Sequence, residues 1–216
     1  MTGVHDAIDP HANQPVLTRG PAPADGRLTM ILIHGRGGSA EDILALCNEI
    51  ASTDIAYVAP QAAGRTWYPY SFLAPIAQNE RGIESAFGVV SRLIEALHVD
   101  GVESRRIGLL GFSQGACLIL EYAARNAKGY AAVVGLSGGL IGPPGTPRNY
   151  IGSFARTPVF LGCSDEDPHI PLERVRESAH VFRRMDANVD ERIYTRMGHT
   201  VNRDEMDAIH HMLRRP

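Results

Sequence analysis

The stretch Leu109-Leu110-Gly111-Phe112-Ser113-Gln114-Gly115-Ala116-Cys117 decides how this chain folds. An apolar run leads into it and a helical pattern follows it, so it predicts a strand that turns sharply into a helix. The two glycines leave room for such a turn, and Ser113 between them is expected to stand exposed above the sheet edge. The free N–H groups of the following helix point at the same place. We therefore interpret Ser113 as a nucleophile; the alternative is a tight glycine-rich turn with an incidental serine.

Short apolar runs alternate with amphipathic patterns along the rest of the chain. Strands are predicted at residues 14–18, 28–34, 54–59, 106–111, 131–136, 158–162 and 191–196. Helices are predicted at residues 40–52, 83–98, 117–126, 172–185 and 203–213, with a long loop at residues 61–81. This alternation is typical of an α/β fold, with a mainly parallel sheet and helices on both faces. Ligands of such sheets bind at the carboxyl ends of the strands.

The length and composition fit one domain. The chain has 216 residues, of which 44% are hydrophobic and 21% are charged. A domain of this size buries roughly 70% of the surface that its unfolded chain exposes. Residues 1–14 are polar and aperiodic, and we predict that they form a flexible tail. Residues 15–216 are predicted to form a single catalytic domain, with no room for an independent cap domain.

Charge and cysteine content exclude several classes of protein. A net charge of -3 without a basic cluster argues against nucleic acid as a partner. No apolar run approaches the roughly 20 residues of a membrane span, and the first residues lack a secretory signal, so we expect a cytoplasmic protein without stable membrane insertion. The three cysteines have no CxxC spacing, which indicates neither a disulfide framework nor a metal site. A homodimer is left open.

A serine nucleophile needs a base and an acid that orients the base. His199 follows the last predicted strand directly, and Gly198 lets that loop turn back over the sheet, so we interpret His199 as the base. The alternative is an exposed loop histidine. The acid is expected after the preceding strand, where Asp165, Glu166 and Asp167 crowd together. Spacing alone cannot choose among these three carboxylates.

An oxyanion hole needs two backbone donors. One is predicted to be the N–H group of Gln114, and the other the N–H group of Arg36, in the glycine-rich loop after the strand at 28–34. The alternative for that loop is a turn without a ligand. The aromatic loop at residues 66–76 is expected to form a wall or flap of the site, or else a satellite hydrophobic cluster. The candidate substrate-binding residues of this loop are Trp67, Tyr68, Phe72 and Leu73.

Six motifs in order resemble the phospholipase/carboxylesterase branch of the α/β-hydrolases. They are His34-Gly35-x-Gly37, Gly64-Arg65-x-Trp67-Tyr68, Gly111-Phe112-Ser113-Gln114-Gly115, Ser137-Gly138-x-Leu140, Asp167-Pro168-x-x-Pro171 and Gly198-His199. The resemblance implies the α/β-hydrolase fold and a triad of Ser113, Asp167 and His199. It also implies an oxyanion hole from Arg36 and Gln114, and hydrolysis of carboxylic esters or thioesters without a cofactor or metal.

The chain departs from that family in two places. Counting three residues from the glycine that ends the strand selects Asp165, whereas the Asp-Pro-x-x-Pro pattern selects Asp167, which we favour. Arg36 also puts a charge beside the expected oxyanion hole, where many members carry an uncharged residue. We expect the Arg36 side chain to bind a loop carboxylate; the alternative is that it favours an anionic substrate group.

The resulting prediction is a serine carboxylesterase that acts on small-molecule esters, with thioesters and lysophospholipids left open as substrates. A dienelactone-hydrolase-like enzyme shares the fold but usually has a cysteine nucleophile, which Ser113 disfavours. A perhydrolase would share the whole site. A non-catalytic hydrolase-fold binding protein is the alternative from another class, and the intact order of serine, acid and histidine argues against it.

Overall fold

The computed structural model describes residues 9–50 and 52–214, which form a seven-stranded sheet with five α-helices. The strands are β1 (Val16–Arg19), β2 (Leu28–Ile33), β3 (Ile55–Pro60), β4 (Ile107–Phe112), β5 (Ala132–Leu136), β6 (Pro158–Ser164) and β7 (Asn188–Tyr194). The helices are α1 (Ala40–Leu46), α2 (Ile76–Val99), α3 (Gln114–Arg125), α4 (Leu172–Arg184) and α5 (Arg203–Leu213). Each predicted strand and helix overlaps one of these elements.

The sheet has the order β1-β3-β2-β4-β5-β6-β7. Strand β1 pairs antiparallel with β3, and the other neighbouring strands pair in parallel. The carboxyl ends of β2 to β7 therefore meet at one edge of the sheet. Every candidate catalytic residue follows a strand at this edge, as the alternation of elements predicted.

Helices cover both faces of the sheet. Helices α2, α3 and α4 contribute to one hydrophobic core, and α1 and α5 contribute to the other. Leu109 and Leu110 are neighbours on the central strand β4, and they belong to opposite cores with no exposed surface. A strand that is buried on both faces needs apolar residues at successive positions, which explains the unbroken apolar run before Ser113.

The prediction of a flexible tail at residues 1–14 is wrong for its described part. Residues 1–8 lie outside the described residues. His11, however, is only 4% exposed, and its ring contacts the backbone of two residues of the loop between β3 and α2. Its Nδ1 accepts a hydrogen bond from the N–H group of Ala63, and its Nε2 donates to the carbonyl of Trp67. Composition alone did not indicate these long-range contacts.

Helix α2 begins at Ile76, seven residues before the predicted start at 83. Its first two turns are mostly polar and do not show the apolar spacing of a helix that packs on a sheet. They pack instead on the preceding loop, where Asn79 accepts a hydrogen bond from the N–H group of Tyr70 and donates one to the carbonyl of Ser71. None of the helices in the described part of the chain has the length and apolar character needed to cross a membrane.

Two smaller boundaries also differ from the prediction. The helix predicted at 40–52 ends at Leu46, and a 3-10 turn at Cys47–Ile50 continues it. Strand β7 covers Asn188–Tyr194 rather than residues 191–196, because its polar first half pairs with β6 at the edge of the sheet. Neither difference moves His199, which follows β7 in both cases.

Helix α5 begins directly after the loop that bears His199, and a buried carboxyl group fixes its first turn. Glu205 Oε2 accepts a hydrogen bond from the N–H group of Asn202, and the Asn202 side chain accepts one from the N–H group of Glu205. The Glu205 side chain has no exposed surface, and its Oε1 is unpartnered within the described part of the chain. This burial raises the pKa of Glu205 to about 7.

We predict that Glu205→Gln removes one pH-dependent contribution to the stability of the protein. The raised pKa means that the folded state retains a proton that the unfolded state releases, so the contribution of Glu205 to the free energy of unfolding falls as the pH rises from about 4.5 to about 7. The glutamine variant lacks this titration. Its stability relative to the wild type should therefore rise across that range, by at most about 3 kcal/mol. Urea unfolding of both proteins at pH 5 and pH 8 measures the difference, and an equal difference at both pH values would contradict the prediction.

Candidate active site

The turn between β4 and α3 holds Ser113 in a backbone conformation that few non-glycine residues adopt, with φ 54° and ψ -118°. Its N–H group donates to the carbonyl of Leu136 at 2.9 Å, and its carbonyl accepts from the N–H group of Cys117 at 3.0 Å. A Cβ atom on Gly111 would overlap the carbonyl of Gly115, and one on Gly115 would overlap the carbonyl of Ile33. The close approach that the sequence predicted for both glycines is therefore confirmed.

His199 lies between Ser113 and Asp167. Its Nε2 is 2.8 Å from Ser113 Oγ, and its Nδ1 is 2.7 Å from Asp167 Oδ2. Asp167 has no exposed side-chain surface. Its other oxygen accepts hydrogen bonds from the N–H groups of His169 and Ile170, at 2.8 and 3.0 Å. The carboxylate is thus held in place from both sides.

Asp165 has a different position. Its Oδ1 accepts a hydrogen bond from the N–H group of Arg196 at 2.8 Å, on the exposed side of the loop. Ser164 Oγ accepts another from the N–H group of Gly198 at 3.1 Å. These two bonds join the loop after β6 to the loop after β7, and so they position His199 relative to Asp167. Of the three carboxylates that the sequence left open, Asp167 contacts the histidine.

The loop after β2 orients the peptide bond between Gly35 and Arg36. Burial lowers the pKa of His34, so its ring stays neutral and carries one N–H group. Its Nε2 accepts from the N–H group of Ala62, so Nδ1 carries the hydrogen and donates it to the carbonyl of Gly35 at 2.7 Å. The carbonyl of Gly35 and the N–H group of Arg36 point in opposite directions from one planar peptide. The His34 ring therefore fixes the direction of the Arg36 N–H group.

The neighbouring amides of this loop have partners inside the protein. The N–H group of Gly37 donates to the carbonyl of Arg65, and that of Gly38 donates to the carbonyl of Gly35. Gln114 occupies the first position of α3, where a backbone N–H group has no acceptor within the helix. The two residues predicted to supply an oxyanion hole thus flank Ser113, one on the loop after β2 and the other at the start of α3.

The side chains of Arg36 and Gln114 hold the loop between β3 and α2. Arg36 donates to the carbonyls of Tyr68, Pro69 and Tyr70, at 2.9, 2.9 and 2.8 Å. Gln114 donates to the carbonyl of Tyr68 at 2.8 Å and accepts from the N–H group of Trp67 at 2.9 Å. The prediction that Arg36 binds a loop carboxylate was wrong, because its acceptors are uncharged backbone carbonyls.

A cavity of about 390 Å³ opens beside Ser113. Tyr68 and Phe72, two of the four candidate substrate-binding residues, line this cavity. The prediction that Trp67 binds substrate was wrong, because its side chain is fully buried and donates a hydrogen bond to the carbonyl of His34. Leu73 packs against the core instead of lining the cavity. The aromatic loop is therefore both a wall of the site and part of the hydrophobic core.

Sequence reasoning missed several lining residues, among them His169 and Ile170 from the loop that bears Asp167. The His169 ring is exposed and stands edge-on to the ring of His199, with the two centroids 4.8 Å apart. The Asp167-Pro168-x-x-Pro171 pattern contained a usable signal, since residues two and three positions after a site carboxylate lie close to the same site.

Neither of the cysteines near the site is a reactive thiol. Burial raises the pKa of Cys117 and of Cys163 to about 12, so both are protonated near neutral pH. The Cys163 thiol donates a long hydrogen bond to Asp167, with the sulfur 3.7 Å from the carboxylate oxygen. Ser113 is thus the hydroxyl that the fold presents to the histidine at the edge of the cavity.

An α/β sheet with a serine on a strained strand-to-helix turn, a histidine at hydrogen-bond distance and a buried carboxylate defines a hydrolase of the α/β-hydrolase class. The family model described as phospholipase/carboxylesterase matches residues 21–215. The chain belongs to this family of ester hydrolases.

Three relatives show how widely the similarity extends. The crystal structure of a phospholipase/carboxylesterase from Dyadobacter fermentans is 37% identical, with a TM-score of 0.89 over 94% of this chain and 97% of that one. Acyl-protein thioesterase 1 from Gibberella zeae is 24% identical over 90% of this chain and 93% of its own length. NocK from Nocardia uniformis, named as an esterase, is 30% identical over 71% of this chain, which spans 44% of that relative.

We predict that Gln114→Met loosens the loop that walls the cavity. The variant removes the side-chain partner of the buried Trp67 N–H group, which should lower the free energy of unfolding by about 1–3 kcal/mol. Trp67 is the one tryptophan of the chain, so its fluorescence reports on this loop alone. The emission should shift to longer wavelength as water reaches the indole. Gln78→Met, at an exposed position of α2, is the matched control, and equal spectra for the two variants would contradict the prediction.

Proposed function

We propose that this protein hydrolyses carboxylic esters and thioesters, with Ser113 as nucleophile, His199 as general base and acid, and Asp167 as the group that orients His199. The observation that carries the proposal is the continuous chain of short contacts from Asp167 Oδ2 to His199 Nδ1 at 2.7 Å and from His199 Nε2 to Ser113 Oγ at 2.8 Å. Both distances allow a hydrogen bond, and the order of the three groups is the one that serine hydrolysis requires.

In the first half of the reaction, His199 Nε2 takes the proton from Ser113 Oγ as this oxygen attacks the carbonyl carbon of the ester. The resulting tetrahedral intermediate carries a negative oxygen. His199 then gives the proton to the departing alcohol or thiol, and the acyl group stays on Ser113. Asp167 accepts a hydrogen bond from the N–H group at Nδ1 of His199, which keeps Nε2 free to receive the proton and stabilises the imidazolium that forms.

The backbone N–H groups of Arg36 and Gln114 are proposed to hold the negative oxygen. Preorganised backbone donors are effective because they need no reorientation while the charge develops. Two features support this role: the His34 ring fixes the peptide that bears the Arg36 N–H group, and the Gln114 N–H group lies at the start of a helix. The positive end of the α3 dipole favours an anion at the same place.

In the second half, a water molecule takes the position of the departed alcohol. His199 accepts a proton from the water as its oxygen attacks the acyl carbon, and then protonates Ser113 Oγ as the carboxylic acid leaves. The enzyme returns to its starting state, and no bound cofactor takes part in either step. Water enters from the open cavity that Ser113 and His199 line together.

We predict that Ser113→Ala abolishes hydrolysis of p-nitrophenyl esters without unfolding the protein. Loss of the nucleophile from a serine triad lowers kcat by about 10⁴- to 10⁶-fold, whereas the partly exposed hydroxyl contributes little to packing. Steady-state kinetics and circular dichroism measure the two effects. A fluorophosphonate probe should label the wild type and not the variant. A protein that binds ligands without catalysis would leave the wild type unlabelled.

The variants Asp167→Asn and Asp165→Asn test which of the two aspartates orients His199. An asparagine at 167 presents an NH₂ group to His199 and favours the wrong tautomer, so kcat should fall by about 10³- to 10⁴-fold. At 165 the asparagine oxygen still accepts from the N–H group of Arg196, so kcat should change by less than about tenfold. Both variants are assayed with one p-nitrophenyl ester. A larger loss at 165 would overturn the assignment of Asp167.

A further inference from the structure

Arg36 places a positive charge in the wall of the cavity that Ser113 lines. Its guanidinium is exposed, and it forms no ion pair with any acidic residue in the described part of the chain. Its three acceptors are backbone carbonyls, which carry no net charge. The full charge of Arg36 therefore remains uncompensated at the edge of the site.

The rest of the cavity wall adds no negative charge. Among the described residues, no aspartate or glutamate lines this cavity, and the other titratable groups of the lining are two histidines, two tyrosines and the thiol of Cys117. Asp167 lies behind His199 and has no exposed side-chain surface. The acid that shares the adjoining cavity with Arg36 is Asp42, which caps α1 and pairs with Arg65 at 3.6 Å. Arg36 is therefore the one side chain of the described lining that carries a permanent charge, and this charge is positive, although the chain as a whole has a net charge of -3.

The Arg36 side chain is also held in place before any ligand binds. A free arginine side chain loses up to about 2 kcal/mol of rotamer entropy when it is fixed. Here three carbonyls of the loop at residues 68–70 already fix it. Three of its five N–H groups serve these carbonyls, and within the described residues the N–H group at Nε and one at Nη1 have no acceptor. A preorganised cation with unused donors is suited to bind a carboxylate.

The position of Arg36 relative to the nucleophile indicates which part of a substrate it would meet. Gly35, the preceding residue, lies against Ser113, since a Cβ atom built on it would be 3.3 Å from Ser113 Cβ. The Arg36 side chain runs from this point towards the carbonyls of Tyr68 to Tyr70, along the cavity wall. An ester group at Ser113 would thus place a group several bonds further along the same molecule near the guanidinium.

We propose that Arg36 selects esters that carry a carboxylate a few bonds from the scissile carbonyl, such as half-esters of short dicarboxylic acids. This inference rests on the proposed function, because it concerns the substrate of the same site. Arg36 acts in it as a specificity-determining residue through its side chain, separately from the role proposed for its backbone N–H group.

The test compares two substrates of matched shape and different charge. The anionic one is p-nitrophenyl hydrogen glutarate, and the neutral one is p-nitrophenyl 5-methylhexanoate, in which an isopropyl group replaces the carboxylate. Rates measured with Ser113→Ala are subtracted, because the glutarate half-ester also hydrolyses by attack of its own carboxylate. The wild type should prefer the anionic ester by about tenfold or more in kcat/KM, and added salt should reduce this preference because Arg36 is exposed.

Variants of two arginines then distinguish an effect of the Arg36 charge on substrate preference from an effect of its hydrogen bonds to the loop. Arg36→Met should bring the ratio of the two kcat/KM values close to one, mainly through KM of the anionic ester, and Arg36→Lys should retain part of the preference. Arg65→Met is the matched control: this exposed arginine donates to the carbonyl of Gly38 and does not line the cavity. Its ratio should equal that of the wild type.

Two results would overturn the inference while the proposed function stands. The wild type could hydrolyse both esters with equal kcat/KM, or its preference for the anionic ester could survive in Arg36→Met. If Arg36→Met lowers kcat/KM of both esters by the same factor, Arg36 supports the loop only, and the inference is again overturned. Failure of the wild type to hydrolyse either ester would overturn the proposed function itself, and this inference with it.

Discussion

The backbone of Ser113 is the constraint on which the rest of the site depends. Its left-handed conformation is costly for a residue with a side chain, and three contacts maintain it: a bond to the end of β5, a bond into α3, and the close approach of Gly115 to β2. These contacts join three neighbouring parallel strands at one point. The hydroxyl therefore has a fixed position against which the loops after β6 and β7 place their own residues.

The loop at residues 66–75 is joined to this centre through the residues that flank Ser113. The carbonyl of Tyr68 accepts hydrogen bonds from both Arg36 and Gln114, whose backbone N–H groups are the proposed oxyanion donors. Behind it, Trp67 is fixed by His34 and by His11 from the N-terminal segment. The wall of the cavity and the proposed oxyanion hole thus share their supports. A change that moves this loop will also act on the geometry around Ser113, and for that reason loop substitutions should affect rate as well as specificity.

Much of the fold could be predicted because the strands and the helices that cover the sheet each leave a recognisable pattern of apolar residues in the sequence. Strands that are buried on both faces must be short apolar runs, and helices that cover a sheet must be amphipathic, so both patterns are visible in the sequence. The predictions failed where an element packs on something other than the sheet. The first turns of α2 contact a loop through Asn79, and the segment around His11 contacts the backbone of another loop. Such contacts leave no periodic pattern in the chain.

The sequence by itself determined the class of fold, the serine on its glycine-flanked turn and the histidine after the last strand, because each depends on local sterics and on the order of strands. The sequence left two guides in conflict, the glycine count for Asp165 and the favoured proline pattern for Asp167, and the tertiary structure places Asp167 against His199. Asp165 and Asp167 are two residues apart on one loop, and only the bonds from Arg196 to Asp165 and from His169 and Ile170 to Asp167 give them different positions. The tertiary structure also decided that the Arg36 side chain donates hydrogen bonds to uncharged carbonyls and forms no ion pair with an acidic residue in the described part of the chain. The path of a distant loop determines which acceptors such a long side chain reaches.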